Sequence, residues 1–487
     1  MKIATVLLLT VFLISVVSCS QGKTTGNADQ AAGTDTQASE TTDAGEITED
    51  LSDSLPVIEY DDADFMIWCD GGPYNHFYDT DLTGEVVDDA VYERNLSVKE
   101  RFKINLQYDL NDNENWRDKK PMQSSILAAD GAYSLISGVT LYMAPPAIAG
   151  CFANLNKVNY LDLSRQWWSQ HINSNIEVNG RLYMTSGFFD MPTVARADVT
   201  YFSTEMLSNY NLGSVYDLVY DGTWTFDKML EMAQTAAADL DGNGIYDEKD
   251  QYGITSQWDV FGIQITTTGY TYATNNDDGT ITLTGYNDSL IKISEKIYDL
   301  LYNATYYYSG YTYQGQHNYE NMMNLFTDNR ALFLMNGIDK TQYPAMREMG
   351  TYGILPTPKF SDSQEEYGTF TSAFVSAIPV DSADYERSAI ILEALEAESY
   401  KQVLPAYYDI ALSNKYLNDE DSVNMLNIIY DNTYCDFTYI YAESGLDTAL
   451  AFSVGIIKDY VSWYDSKAES YNTKIAAMVE KINALPD

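Results

Sequence analysis

Apolar and polar residues alternate in blocks that predict strands and helices following one another along the chain. Residues 64–69 form a continuous apolar run typical of a buried strand, and residues 86–102 carry apolar side chains at helical spacing. Residues 104–108 then alternate like a second strand. A helical stretch near 122–129 leads to a third strand at 133–138. This order predicts an α/β fold with a parallel sheet and crossover helices.

Two loops follow strands of this predicted sheet and are candidates for a binding site. In parallel α/β sheets, ligands bind beyond the carboxyl ends of the strands. Residues 70–78 follow the first strand and open with Asp-Gly-Gly-Pro, and residues 138–145 follow the third strand. Side chains of these two loops are therefore expected to face a ligand.

The first 22 residues have a different pattern, in which Lys2 is followed by an apolar run over residues 3–17. The run is too short to span a bilayer comfortably, so it predicts an export signal rather than a membrane helix. Its ending, Val-Val-Ser-Cys, resembles the lipobox of bacterial lipoproteins. That resemblance implies removal of residues 1–18 and a lipid on Cys19, which would anchor the chain to the cell membrane. Cleavage at Ser18 by an ordinary signal peptidase is the alternative, and both place the protein outside the cytoplasm.

Residues 19–56 lose the apolar pattern and consist mainly of Ser, Thr, Gly, Ala, Gln and acidic residues. Such a segment buries too little apolar surface to offset chain entropy, which predicts a disordered acidic tether. A flexible coil of this length has ends roughly 30 to 40 Å apart. The expected arrangement is a folded body joined to the membrane by a flexible segment.

Length and charge restrict the architecture and the partners. Residues 57–487 are more than a single hydrophobic core usually serves, which predicts two lobes. The chain contains 71 acidic and 28 basic residues, a formal charge of −43. This charge repels nucleic acid, so no nucleic-acid partner is expected. Three cysteines follow residue 57, namely Cys69, Cys151 and Cys435, so they cannot all pair with one another. Cys69 lies in an apolar run typical of a buried thiol. One disulfide between two of the three is an open alternative.

Residues 239–250 place oxygen-bearing groups at the spacing of a calcium-binding loop. The predicted ligands are Asp239, Asp241, Asn243, the backbone carbonyl of Ile245, Asp247 and Asp250. Because Asp250 replaces the usual Glu at the twelfth position, the expected dissociation constant is about 10⁻⁴ to 10⁻³ M. The alternative is a solvated acidic turn without metal. Calcium would be structural, and no other cofactor is expected.

Two further segments resemble the extracellular solute-binding proteins of ABC importers, especially the carbohydrate-binding family. Residues 221–230, DGTWTFDKML, precede the acidic loop and a Tyr-Gly pair at 252–253, in the order found in that family. Residues 326–337, FTDNRALFLMNG, run to a Gly-x-x-Pro-x-Pro segment at 353–358. The first strand, a hairpin at 179–183 and the lipobox extend the resemblance over nearly the whole chain.

The resemblance implies a two-lobed, periplasmic-binding-protein-like α/β fold with a ligand cleft between the lobes. Residues 57–190 and 368–430 are expected in lobe 1, and residues 191–367 and 431–487 in lobe 2. The implied function is capture of a carbohydrate, an oligosaccharide, by lobe closure, followed by delivery to an ABC permease. The implied protein is a monomer without catalytic residues.

The family's sites stack sugar rings on aromatic side chains and hold the hydroxyls with acidic, amide and guanidinium groups. The positions that match such contacts are Asp70, Tyr78, Tyr142, Trp258, Asn336, Phe370 and Thr371. Of these, Tyr142 and Trp258 are the expected stacking residues.

The sequence carries no linear motif of an enzyme. His76, His171 and His317 lie far apart, and none has the spacing of a metal-binding pair. A nucleophile elbow, a phosphate loop and a dinucleotide fingerprint are also missing. Two alternatives stay open: a tethered glycoside hydrolase, whose paired carboxylates leave no linear motif, and a surface glycan-binding or sensory lipoprotein without a permease.

Overall fold

A computed structural model describes residues 51–487 apart from Gly71, 112–116, 269–270, 277–278, 312–317, 361–363, 413–419, 447–452 and 487. The side chains of Trp258, Ile263, Thr268, Tyr311 and residues 409–412 also lie outside the described part. The predicted signal, Cys19 and the tether up to residue 50 fall outside it as well. Within the described ranges, no helix combines the length and apolar character needed to cross a membrane.

Strands and helices alternate along the described chain. The strands are β1 (Ala63–Cys69), β2 (Ile104–Leu110), β3 (Leu135–Val139), β4 (Asp198–Ser203), β5 (Tyr252–Gln257), β6 (Ala273–Asn275), β7 (Ile281–Leu283), β8 (Tyr307–Tyr311), β9 (Ala331–Gly337), β10 (Tyr352–Leu355), β11 (Thr369–Phe370), β12 (Phe374–Ala377) and β13 (Thr433–Tyr434). The helices are α1 (Val86–Phe102), α2 (Lys120–Ala128), α3 (Thr140–Ile148), α4 (Gln170–Ile176), α5 (Pro192–Ala195), α6 (Thr204–Asn209), α7 (Val215–Tyr220), α8 (Phe226–Ala236), α9 (Trp258–Gln264), α10 (Asp288–Asn303), α11 (Tyr319–Thr327), α12 (Pro344–Met349), α13 (Tyr385–Glu398), α14 (Leu404–Leu412), α15 (Glu420–Asp431), α16 (Phe437–Ile440) and α17 (Tyr460–Ala484). Short 3₁₀ turns cover Gly72–Phe77, Leu155–Lys157, Ile265–Thr268, Ile338–Gln342 and Ala442–Ser444, and Ser399–Val403 is a π-helical turn.

The first sheet has the order β12-β3-β1-β2. Strand β1 is parallel to both β2 and β3, and β12 closes the edge antiparallel to β3. The predicted β-α-β start is therefore confirmed. Helix α1 carries Asp88 and Asp89 in its first turn and Lys99 and Arg101 in its last, which complements the helix dipole.

The second sheet has the order β10-β4-β9-β5-β8. Strand β5 is parallel to β8 and β9, whereas β4 runs antiparallel to both β9 and β10. Helix α8 packs an apolar face against this sheet, and the Thr225 hydroxyl caps its first turn by accepting a hydrogen bond from the Lys228 amide. The two sheets are the centres of two lobes, which confirms the two-lobed α/β fold.

The chain crosses between the sheets several times. Residues 190–198 lead from the first sheet to the second, and residues 355–374 lead back. Two connecting segments pair with each other as the parallel strands β11 and β13. These paired segments belong to the connections by which the chain passes between the two sheets.

The packing divides the C-terminal part of the chain differently from the sequence-based boundaries. Helix α15 was expected in lobe 1, but it lies against β10, and Ile429 shares a hydrophobic cluster with Tyr201 and Tyr352 of the second sheet. Helix α16 was expected in lobe 2, but it packs against α3 and α4. Periodicity shows which helix face is buried and does not show which sheet buries it.

Helix α17 contacts both lobes. Tyr460, Tyr464 and Tyr471 in its first part belong to the cluster around the second sheet. Ile475, Met478 and Ile482 in its second part belong to the cluster around the first sheet. One continuous helix therefore connects the two hydrophobic cores.

Residues 51–56, expected in the tether, lie against the folded body. The Arg101 guanidinium forms an ion pair with the Asp53 carboxylate, whose side chain is only 6% exposed. The Arg165 side chain also donates to the Ser52 carbonyl. Ser52 and Asp53, which were expected in the tether, thus contact the folded body.

Candidate ligand-binding cleft

A cavity of about 230 Å³ lies between the two sheets, where the connecting segments meet. Strands β5 and β9 contribute residues from their carboxyl ends, and the 3₁₀ turn after β1 contributes from the opposite lobe. The lining residues are Tyr74, Arg196, Asp198, Gln257, Asp259, Val260, Asn336, Gly337, Asp339, Lys340, Phe370, Ser372 and Tyr439. This is the location at which open α/β sheets bind ligands.

Aromatic side chains form part of the cavity wall. The Phe370 and Tyr439 rings meet edge to face with centroids 5.2 Å apart, and the Tyr439 hydroxyl lies 2.7 Å from the Ser372 hydroxyl. Tyr74 approaches from the first lobe and packs edge-on against Phe374 at 6.2 Å. Such rings offer an apolar face to a sugar ring.

Asp339 is held by two donors. The Tyr74 hydroxyl donates to its carboxylate over 3.2 Å, and the Lys340 ammonium lies 2.6 Å away. Burial, together with the Asp339 charge, raises the pKa of Tyr74 to about 12, so this hydroxyl stays protonated. The Tyr74–Asp339 hydrogen bond joins the turn after β1 to the turn after β9 and therefore spans the cleft.

Asp198 and Asp259 are the two other carboxylates of the cavity. Burial, with a contribution from the charge of Asp259, raises the pKa of Asp198 to about 7, although the Gln264 amide donates to it over 3.0 Å. Burial likewise raises the pKa of Asp259, and its Oδ1 atom is buried without a hydrogen-bond partner. Both groups can accept hydrogen bonds from ligand hydroxyls.

Arg196 contributes a guanidinium between these acids. Its Cζ atom lies 5.8 Å from the centre of the Tyr74 ring and 6.0 Å from that of Phe374. No carboxylate of the described residues forms an ion pair with it, whereas Lys340 is paired with Asp339. The cavity thus holds acceptors, donors and aromatic faces together.

Two of the sequence-predicted site residues line the cavity, namely Asn336 and Phe370. Asn336 occupies the end of β9, and its side-chain oxygen accepts from the Gly337 amide over 2.9 Å. Thr371 follows Phe370 but is fully buried, and its hydroxyl donates to the Thr193 carbonyl over 2.6 Å. Alternate residues of an extended segment point to opposite sides, which explains why these neighbours differ.

Asp70 and Tyr78 lie within the packed body of lobe 1 and do not line the cavity. Asp70 is fully buried, forms an ion pair with Lys119 and accepts from the Asn111 amide over 3.3 Å. Tyr78 is also fully buried and accepts a 2.8 Å hydrogen bond from the Ser137 hydroxyl. Their polar groups are satisfied inside the protein, so they are positioned to stabilise the lobe.

The two expected stacking residues have different outcomes. Tyr142 is half-buried in lobe 1, with Lys119 Nζ 5.7 Å and Arg117 Cζ 5.9 Å from its ring centre, and it does not line the cavity. Trp258 begins α9 directly before the cavity residue Asp259, and its side chain lies outside the described part.

Several cavity residues were missed by reasoning from the sequence. Tyr74 lies within the loop that was singled out, residues 70–78, but was not itself selected. Asp198 and Asp259 flank the beginning of β4 and the end of β5, and these strands were not predicted. The available signal was an acidic residue next to an apolar run, which is common in so acidic a chain.

The predicted calcium loop is a separate candidate site. Oxygens of Asp239, Asp241 and Asp250 lie within 4.8 Å of one another. Asp239 accepts hydrogen bonds from the Gly242 and Gly244 amides, both over 2.7 Å. The hydrogen bond from Gly244 is the main cause that lowers the pKa of Asp239.

The remaining predicted ligands have other contacts within this loop. Asp247 lies 3.8 Å from Lys249, Asn243 accepts from the Ile245 amide over 2.6 Å, and Ile245 is 67% exposed. Clustered carboxylate oxygens suit the oxygen preference of calcium, so the three converging acids fit such an ion.

Several solved structures share the fold of this chain. Over 87% of this chain, the GacH receptor of Streptomyces glaucescens, solved unliganded and with acarbose, matches across 99% of its own length with a TM-score of 0.53 and 13% identity. A cyclo/maltodextrin-binding protein complexed with maltotetraose matches across 98% of its length, with a TM-score of 0.53 and 11% identity. An ABC substrate-binding protein from Listeria monocytogenes in complex with cycloalternan matches with a TM-score of 0.50 and 12% identity. This match covers 87% of this chain and 98% of the length of that protein. At these identities the likeness establishes the fold.

Comparison by sequence adds nothing to this result, since no protein-family model and no curated protein matches the chain.

Proposed function

We propose that the protein is a lipid-anchored, extracytoplasmic receptor for a carbohydrate. The ligand is an oligosaccharide, which the receptor captures and delivers to an ABC permease. The observation that carries this proposal is the cavity between the lobes, which combines the aromatic walls of Phe370 and Tyr439 with the carboxylates of Asp198 and Asp259. The fold supports it as well, because proteins of this fold bind acarbose, maltotetraose and cycloalternan.

Binding would act through closure of the lobes. A sugar offers C–H groups on its ring faces, which suit aromatic rings, and hydroxyls on its rim, which suit carboxylates and amides. Groups from both lobes line the cavity, so a ligand contacts both at once only when they are close. This difference in contacts between open and closed states supplies the free energy of closure.

The first test is calorimetric titration of the full-length protein with a panel of neutral and acidic oligosaccharides. We expect saturable binding of at least one saccharide. Tyr439→Leu removes a ring from the wall and is expected to weaken this binding about tenfold or more, whereas Tyr439→Phe retains the ring and most of the affinity. Tyr302→Ala, which removes an exposed tyrosine from α10, is the control. Binding of peptides but no saccharide would refute the proposal.

The anchor requires its own experiment. Cys19→Ala is expected to release the exported protein from the cell membrane into the soluble fraction, because no acyl chain can then be attached. Ser20→Ala is the matched control and should leave the protein membrane-bound. Equal membrane retention of both variants would contradict lipidation at Cys19.

Hydrolysis is the competing function, because Asp198 and Asp259 are neighbouring carboxyl groups in a cleft suited to sugars. Glycoside hydrolases use a pair of carboxyl groups. We expect no new reducing ends after prolonged incubation with any saccharide that binds. New reducing ends that disappear with Asp198→Asn would assign the protein as a hydrolase instead.

A further inference from the structure

The guanidinium of Arg196 lines the cavity without an ion-pair partner among the described residues. Aromatic rings hold it in place, with its Cζ atom 5.8 Å from the Tyr74 ring centre and 6.0 Å from that of Phe374. Contacts with ring faces stabilise a guanidinium and leave N–H groups at its edge free to donate. Arg196 is therefore fixed in direction and still able to bind a ligand.

The chain has 71 acidic and 28 basic residues, and Arg196 differs from the other cation that lines the cavity, Lys340, in having no ion pair with a described residue. Cations that line the cleft or lie behind it have carboxylate partners: Lys340 is paired with Asp339, and Lys119 with Asp70. Asp339 is further occupied by the Tyr74 hydroxyl. Among the described residues, no carboxylate lies within ion-pair distance of Arg196.

Asp198 and Asp259, the other two acids that line the cavity, form no ion pair with Arg196. Asp198 accepts from the Gln264 amide, and it influences Arg196 only through space. Burial raises the pKa of both Asp198 and Asp259, which favours their protonated forms. These carboxyl groups are thus suited to the hydroxyls of a ligand, whereas the guanidinium fork matches the geometry of a carboxylate.

We propose that the cleft binds a saccharide that carries a carboxylate, such as a uronic acid unit, and that Arg196 binds this carboxylate. The proposal rests on the carbohydrate-binding function proposed above and specifies the class of the ligand. Arg196 then acts as a specificity-determining residue, because a neutral sugar would leave the guanidinium without its charged partner.

The experiment compares oligouronides with their carboxyl-reduced counterparts, which keep the same rings and linkages but lack the charge. The panel contains oligomers of galacturonic, glucuronic, mannuronic and guluronic acid, each titrated calorimetrically into the full-length protein. We expect one acidic oligomer to bind about 10- to 100-fold more tightly than its reduced form. Arg196→Gln should remove this preference, and Arg196→Lys should retain only part of it.

Arg347→Gln removes the same charge from an exposed position on α12 and should leave the preference unchanged. Thermal melts of all variants verify that they are folded. If a neutral saccharide binds as tightly as its acidic form, or if Arg196→Gln leaves the preference intact, the assignment to acidic saccharides is overturned while the receptor function stands. If no saccharide of either class binds, the receptor function fails as well.

Discussion

Asp259 shows how a single side chain can favour binding at the expense of stability. Its Oδ1 atom is buried without a hydrogen-bond partner among the described residues. A buried acceptor that lacks a hydrogen bond destabilises the folded state by about 1 to 3 kcal/mol. A ligand hydroxyl that donates to this oxygen would remove the penalty, so the residue is suited to a bound state.

Asp259→Asn removes the negative charge that burial disfavours, so it is expected to raise the free energy of unfolding of the free protein by about 1 kcal/mol and to weaken saccharide binding about tenfold. Urea denaturation and calorimetric titration measure the two effects. Asp465→Asn, at an exposed position of α17, should change neither quantity. A loss of stability in Asp259→Asn would show that the carboxylate is already satisfied.

The sequence predicts the location of some individual site residues and not of others. Phe370 lines the cavity, whereas its neighbour Thr371 turns into the protein. Asp70 was selected because it follows a strand, but Lys119, far along the chain, neutralises it inside lobe 1. The partner that buries or frees a polar group is a long-range property, and it leaves no local pattern in the sequence.

At the scale of single elements, helix α13 carries acids into the core of lobe 1. Glu396 is fully buried, its carboxylate accepts from the Phe189 amide over 2.7 Å, and its Oε1 atom has no partner. Burial first, and then the nearby Asp190 carboxylate, raise the pKa of Glu396 well above its ordinary value. Glu393 and Arg94 also face it, and burial raises the pKa of Glu393 to about 7.

These raised pKa values determine the sign of the pH dependence. In the folded state these acids keep their protons to a higher pH than in the unfolded state, where they release them near pH 4.5. Folding therefore binds protons, and stability falls by about 1.4 kcal/mol per pH unit for each such group as the pH rises toward its folded pKa. We expect the protein to be more stable near pH 5 than near pH 8.

Glu396→Gln removes one of these groups, and its thermal midpoint should depend less on pH than that of the unmodified protein. Glu386→Gln, at an exposed position of the same helix, is the control and should leave the pH dependence unchanged. Melting curves between pH 5 and pH 8 make the measurement. Identical slopes for Glu396→Gln and the unmodified protein would mean that Glu396 is ionised in the folded state.

The calcium loop is the second element with a testable role. At 10 mM calcium and a dissociation constant of about 1 mM, binding should raise the free energy of unfolding by about 1.4 kcal/mol. Asp241→Asn removes a converging charge and should abolish most of the increase, whereas Asp288→Asn at the start of α10 should retain it. Thermal unfolding is measured with calcium, with magnesium and with a chelator. A calcium-dependent increase in stability that Asp241→Asn abolishes would indicate a metal site, and no increase would indicate a solvated turn.

Elements were predicted well where the local pattern was sufficient. The first three strands and the helix between the first two followed from apolar runs of the right length and period. The positions of α15 and α16 did not, since an amphipathic helix packs equally well on either sheet by its own pattern. The order of the strands in the second sheet likewise depends on pairings between distant segments.

On the scale of the whole molecule, the formal charge of −43 opposes compaction. Like charges on the surface repel one another, and salt screens this repulsion over about 8 Å at physiological ionic strength. Raising sodium chloride from about 10 mM to 150 mM should therefore raise the thermal midpoint at pH 7. The increase should shrink at pH 4.5, where many carboxylates are protonated, and a midpoint independent of salt at both pH values would contradict this account.

Helix α17 sets a mechanical condition on any motion of the two lobes. Because its beginning is embedded in one core and its end in the other, the lobes cannot separate widely while the helix stays straight and both ends stay packed. Opening must bend the helix or detach one end from its core, and either change costs free energy. The helix therefore limits how far the two binding surfaces can move apart in the absence of a ligand.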